Sequence, residues 1–382
     1  MQMSENLHAG AAAAGTTTAL AARKKAGDPG LDVVSASRIG AMLWIGFYTF
    51  LLNIVTLTIF RFWGRTHFRR RLWSDTRIGG EALEYTGRGM ELFLGFIIAI
   101  FSLMVPTIAA VFGAQLLLGP QLFIIVLVPI YLMLFVIVGV AIFLARRYHL
   151  SRTTYRGIRF AQTGSAWGYG FAAFGYGILT VLTLGWFAPA MQIRLSRRMW
   201  SNAWYGGVKF RFEDTPEAKR EPVYLSFALA WVGGVAAYGL WGFWIATSGL
   251  FQPTDAVQPD MRAVGMIYLS MIPLILVIAA FVSWHFAVIT RRITKSLRLE
   301  GVAFSSRLST FDIIELTITN LFLVVFTLGV GLMAAQMRVW KRLANRLVLS
   351  GSIDFSAIEQ SSANAPKQGE GLADGLDLVS NF

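Results

Sequence analysis

Arg70-Arg71-Leu72-Trp73-Ser74-Asp75-Thr76-Arg77 follows a long apolar run, and variants of this phrase close four further apolar runs. The others carry Arg146-Arg147, Arg197-Arg198, Arg291-Arg292 and Lys341-Arg342. Each phrase leads to a glycine, followed in four of the five copies by Phe three or four residues later. The pairs are Gly157 and Phe160, Gly207 and Phe210, Gly301 and Phe304, and Gly351 and Phe355; the first copy has Gly80 and Tyr85. GGVKFRF and GIRF alternate apolar and polar residues, which is the period of a strand. One short strand leaves its backbone groups unpaired, so the five endings are expected to pair into a small sheet outside a membrane.

Of the 382 residues, 55% are hydrophobic and 14% charged, against about 25% charged in soluble domains. The apolar excess lies in blocks long enough to cross a bilayer, about 20 residues each. They run approximately over 40–62, 91–118, 120–145, 167–190, 223–250, 263–290 and 311–336. Ten-residue alternating segments are absent, so a membrane β-barrel is not expected. Gly119-Pro120 joins the second and third blocks as a hairpin, and LFQPTDAVQPDMR joins the fifth and sixth. Pro106, Pro129, Pro273 and Gly233-Gly234 fall inside these helices. Packing and kinking account for them, with a transport hinge as the sharper reading.

Blocks one, four and seven form a threefold internal repeat. Aligning Thr56, Thr183 and Thr327 brings Leu57, Leu184 and Leu328 into register, then His67, Arg194 and Arg338, then the basic pairs. If all seven blocks span, equally basic phrases face opposite sides, which conflicts with the positive-inside bias. If these three blocks enter and leave on one side, every basic phrase is cytoplasmic. The reading is an all-α polytopic membrane protein with four full spans and three bent or re-entrant blocks, short cytoplasmic strands and amphipathic basic helices. Seven straight spans is the alternative.

The formal charge of +13 flanks apolar blocks, which points to topology and anionic lipid rather than nucleic acid. Cysteine is absent, and four scattered histidines make no metal pattern, so neither metal nor cofactor is expected. Residues 1–37 and 356–382 are read as disordered cytoplasmic tails around a membrane domain over 38–355.

Segment 62–77 reads as an amphipathic interface helix. Trp63 and Trp73 suit the headgroup region, and Arg65, Arg70 and Arg71 suit lipid phosphate. Arg197, Arg198, Trp200, Lys341 and Arg342 extend the same reading to the other copies. The plain reading is anchoring; the sharper one is a pocket for a lipid or anion. Asn53, Glu91, His285, Glu315 and Asn320 are intramembrane polar candidates. Against this, Glu91 and Glu315 sit near block ends, Asn53 and Asn320 suit interhelical hydrogen bonding, and His285 lies near the headgroups.

The segment LTIFRFWGRTHFRRRLWSDTRIGGEALEYTGRGMELFLGF resembles the YjgN-like family of bacterial inner-membrane proteins, domain of unknown function 898. Asn53, Thr56, Phe60, Trp63, Arg65, Arg70, Arg71 and Trp73 fit its pattern, and Thr183-Leu184-Gly185 with Pro189 fits in the second copy. The resemblance covers roughly residues 38–355 and implies an inner-membrane location, with no activity and no catalytic residues. The chain shows no enzyme motif. Transport or handling of a lipid or anionic amphiphile is the leading expectation, with membrane lipids as partners. A non-transporting scaffold is the alternative. A cavity lined by Asn53, Asn320 and His285 distinguishes the first from the second, which has a filled apolar core.

Overall fold

The computed structural model describes residues 31–250, 261–352 and 358. Strand, helical hairpin, strand is the order of elements in each of five successive units. The first unit is β1 (Val33–Ser35), α1 (Ile39–Val55), α2 (Arg61–Ser74) and β2 (Thr76–Ile78). The second is β3 (Glu81–Tyr85), α3 (Gly89–Ser151) and β4 (Thr153–Tyr155). The third is β5 (Ile158–Gln162), α4 (Ala166–Leu182), α5 (Ala188–Trp200) and β6 (Ala203–Tyr205). The fourth is β7 (Val208–Phe212), a short α6 (Pro216–Lys219), α7 (Val223–Thr247), α8 (Met261–Lys295) and β8 (Leu297–Leu299). The fifth is β9 (Val302–Ser306), α9 (Thr310–Phe326), α10 (Leu332–Arg346) and β10 (Leu347–Ser350).

The strands correct the all-α expectation. They form one ten-stranded antiparallel sheet in sequence order, and its edges β1 and β10 come into contact, leaving a nearly closed barrel. Composition hides this sheet because each strand contributes only three to five residues. One register serves every unit: Ser35 opposes Thr76, Tyr85 opposes Thr153, Gln162 opposes Ala203, Phe212 opposes Leu297, and Ser306 opposes Leu347. One residue further, Ala36, Thr86, Thr163, Glu213 and Arg307 donate to the carbonyls of Asp75, Arg152, Asn202, Ser296 and Arg346 at 2.8–2.9 Å. All five helical hairpins therefore leave the same end of the barrel. Tyr155, Tyr205, Phe210 and Leu299 fill its interior, packed by Phe160, Trp200 and Phe304. Ile358 is buried among them, and Val33–Ser35 forms an edge strand.

Gly89–Ser151 is helical along its length, yet Glu91 and Arg152 at its two ends meet at 2.8 Å. A straight helix of 63 residues would separate them by about 95 Å, so the chain doubles back. The two arms that double back are Gly89–Leu117 and Leu127–Ser151, both apolar. The surroundings of Gly119 and Pro120, expected at the turn, lie outside what is described, as does most of the LFQPTDAVQPDMR loop. With Pro216–Thr247 and Met261–Lys295, four described helices are long and apolar enough to cross a membrane. Pro106, Pro129 and Pro273 sit within unbroken helix, and so does Gly233, whose Cβ would meet the Phe281 ring at 2.7 Å. Gly233 thus marks a close helix crossing of α7 with α8 rather than a break.

The breaks fall instead in the short hairpins. α1, α4 and α9 each run 17 residues and end immediately before Thr56, Thr183 and Thr327. The next residue, Leu57, Leu184 or Leu328, takes a left-handed φ of 49–51°. A helix end leaves backbone groups without intrahelical partners. Each Thr hydroxyl satisfies such groups in both directions: it donates to the carbonyl four residues back and accepts the N–H four residues ahead. The distances are 2.7 and 3.0 Å at Thr56, 2.7 and 3.0 Å at Thr183, and 2.6 and 2.8 Å at Thr327. Thr58, Gly185 and Gly329 then donate five residues back, to Asn53, Thr180 and Val324.

Candidate functional site

The basic phrases end the returning helices and meet the start of the next unit. Arg70, Arg147, Arg197, Arg291 and Lys341 each stand six residues before the following strand. Each donates to the same structural position of the next unit. Arg70 reaches the Gly87 carbonyl at 3.1 Å, Arg147 the Gly164 carbonyl, and Arg291 the Leu308 carbonyl at 2.8 Å. Arg197 reaches the Asp214 carboxylate. Lys341 reaches the Ser37 carbonyl at 2.9 Å, joining the fifth unit back to the first. A sequence separation of 17 residues recurs in the four forward contacts, a signal visible in the sequence once the acceptor is known.

Asp214 is the charged member of this set of acceptors, and it also binds the buried Arg292 at 2.6 Å. Partial burial opposes its charge, but Arg292 and Arg197 hold the Asp214 carboxyl below the usual carboxylate range. Beside it, Glu221 binds Lys295 at 2.6 Å and Arg291 at 3.1 Å.

The remaining predicted residues divide between these seams and the helix faces. Arg71 pairs with Asp75 at 3.2 Å, and Arg198 donates to the Gly168 carbonyl at 3.2 Å. Trp73 stacks on Trp340 at 5.1 Å and donates to Thr153, while Trp200 lies under Arg146 at 4.2 Å. Arg342 joins Asp312 at 2.6 Å and Glu315 at 2.9 Å. Glu91 takes Arg152 and the Tyr148 hydroxyl. Trp63, His67, Arg70 and Arg88 line a hollow of about 200 Å³ at the start of α3. Arg65 lies on α2, half-buried.

His285 is buried between Ser226 at 3.1 Å and Gln192 at 3.3 Å, which holds α7, α8 and α5 together. Asn53 lies on α1, with its side-chain oxygen buried and no donor from the protein. These two residues and Asn320 do not converge. Asn320 alone lines a cleft of about 550 Å³ between α7, α8, α9 and α10. Leu274, Ile278, Val282 and Phe286 supply the α8 wall, and Ile313, Leu316 and Asn320 the α9 wall, at one-turn intervals on each helix. The cleft is mostly apolar, with Ser283, Thr317 and Asn320 as its polar points. Asn320 donates to the Ala335 carbonyl at 3.3 Å, while its own side-chain oxygen is buried without a donor. Arg338 stands next to this point, donating to Thr319 at 2.8 Å. Sequence reasoning singled out Asn320 but not the cleft, because the two walls come from different units.

Among the described residues no group of His, Asp and Glu side chains has metal-site geometry. The fold and these features define a polytopic membrane protein whose helices rise from a ring-like sheet. The chain belongs to a family of bacterial proteins of unknown function, DUF898, whose model matches residues 38–375. No curated protein and no solved structure matches it.

Proposed function

We propose that the protein sits in the bacterial inner membrane and binds a lipid or anionic amphiphile, with the sheet on the cytoplasmic side. The observation that carries the reading is the cleft beside α8. Its walls have the composition of an acyl-chain site, and its volume is in the usual range for small-ligand sites, about 300–1,000 Å³. The orphan oxygen of Asn320 offers an acceptor to a hydroxyl or amide of the ligand, which offsets its burial. Cations at the helix bases favour an anionic headgroup, each contributing about 1 kcal/mol near the surface. Handling or transport of such a molecule follows from this binding.

Native mass spectrometry of the full chain in mild detergent tests the reading. Wild-type protein is expected to retain anionic phospholipid, and Ala279→Trp, which fills the cleft from α8, to retain less at unchanged melting temperature. Equal retention by both forms overturns it.

A further inference from the structure

We infer that the protein is a leaflet-selective wedge. The six helices of its three short hairpins enter only the half of the bilayer nearest the sheet, so it takes up more area there and favours membrane that is convex towards the sheet. This inference is independent of the cleft.

Helix lengths carry the argument. α1, α3, α4 and α9 all begin four residues after their strand ends, so they start at one level above the barrel. The outgoing arm of α3 runs 29 residues, Gly89–Leu117, about 43 Å, while the 17 residues of α1, α4 and α9 reach about 25 Å. The short hairpins therefore stop about 18 Å short of the long ones. With the long tips at the far face of a hydrocarbon layer about 30 Å thick, the short tips end near its middle.

The chemistry of the tips agrees. Leu57, Leu184 and Leu328 are 83%, 75% and 85% exposed, and Val55, Leu182 and Phe326 beside them are 78%, 74% and 80% exposed. A water-facing surface rarely gathers such residues at three matching points. The Thr hydrogen bonds let each turn lie in hydrocarbon without a polar partner. The near leaflet thus holds ten helical segments and the far leaflet the four long ones. Six extra helices of about 10–12 Å diameter displace roughly 500–700 Å² of lipid from one leaflet alone.

Two measurements test this on the full chain in phosphatidylethanolamine–phosphatidylglycerol vesicles. First, Leu57→Cys, Leu184→Cys and Leu328→Cys, each carrying a fluorophore, are quenched by lipids brominated at known acyl depths. Strongest quenching near the bilayer middle is expected; strongest quenching at either headgroup layer overturns the inference. Second, protein inserted with the sheet outside is allowed to distribute between flat bilayers and narrow tubes drawn from them. Severalfold enrichment on tubes is expected, and equal density overturns the inference. Replacing all three leucines with Asp is expected to remove the enrichment. Should that variant fail to fold, the depth and wild-type tube measurements decide alone.

Discussion

Thr183 shows how one side chain satisfies the backbone where a helix stops. Its hydroxyl is the acceptor that the Phe187 N–H finds at 3.0 Å, while the same oxygen donates to Leu179 at 2.7 Å. Valine has nearly the same shape and neither capacity. With the turn in lipid, as inferred above, Thr183→Val is expected to destabilise the folded protein by about 1–3 kcal/mol, the cost of a donor left unsatisfied away from water. Thr183→Ser keeps both bonds and most of the stability. Thermal unfolding in one detergent compares the three, and a valine variant that melts with wild type removes the role assigned to the hydroxyl. The Thr-Leu alignment was readable in the sequence as a break because it recurs at matched positions. The double hydrogen bond was not, since both partners are backbone groups.

Among the elements, the hairpin strands hold the units together through a small aromatic core. Phe210 is 6% exposed and lies 5.5 Å from Trp200 and 6.1 Å from Phe304, ring centre to ring centre. Phe210→Ala is expected to cost about 3–5 kcal/mol, the range for emptying a packed aromatic site. The melting temperature reports it, and a loss comparable to that of an exposed residue such as Phe171 would place Phe210 outside the core. β5, β7 and β9 were legible because Gly followed by alternating residues marks a strand. Their three-residue partners, such as Thr76–Ile78, are too short to show any period. Trp63, Arg70 and Lys341 stand out in the sequence by type and spacing. The clamp that Arg70 and Lys341 make does not, because Gly87 and Ser37 accept through carbonyls that every residue possesses. The cleft was illegible for a related reason: its α8 and α9 walls each read as ordinary apolar helix until their separation is known.

For the whole molecule, the continuous ladder decides which segments share a side. A sheet of ten strands cannot be split across a bilayer, because lipid cannot satisfy the open edges that splitting would create. All five basic phrases hang from that one body, and the positive-inside bias favours the cytoplasmic side for it, as proposed above. The chain lacks cysteine, so single substitutions report location without background. Arg77, Lys209 and Glu300 are exposed on the sheet, and Met261 is 74% exposed at the opposite end of α8. Arg77→Cys, Lys209→Cys and Glu300→Cys are expected to resist a membrane-impermeant maleimide in intact cells and to label after the membrane is opened. Met261→Cys is expected to label in intact cells. Labelling of all three sheet positions from outside would invert the orientation and leave the shared body standing. Labelling of only some of them from outside would break the ladder itself, because neighbouring strands cannot face different compartments.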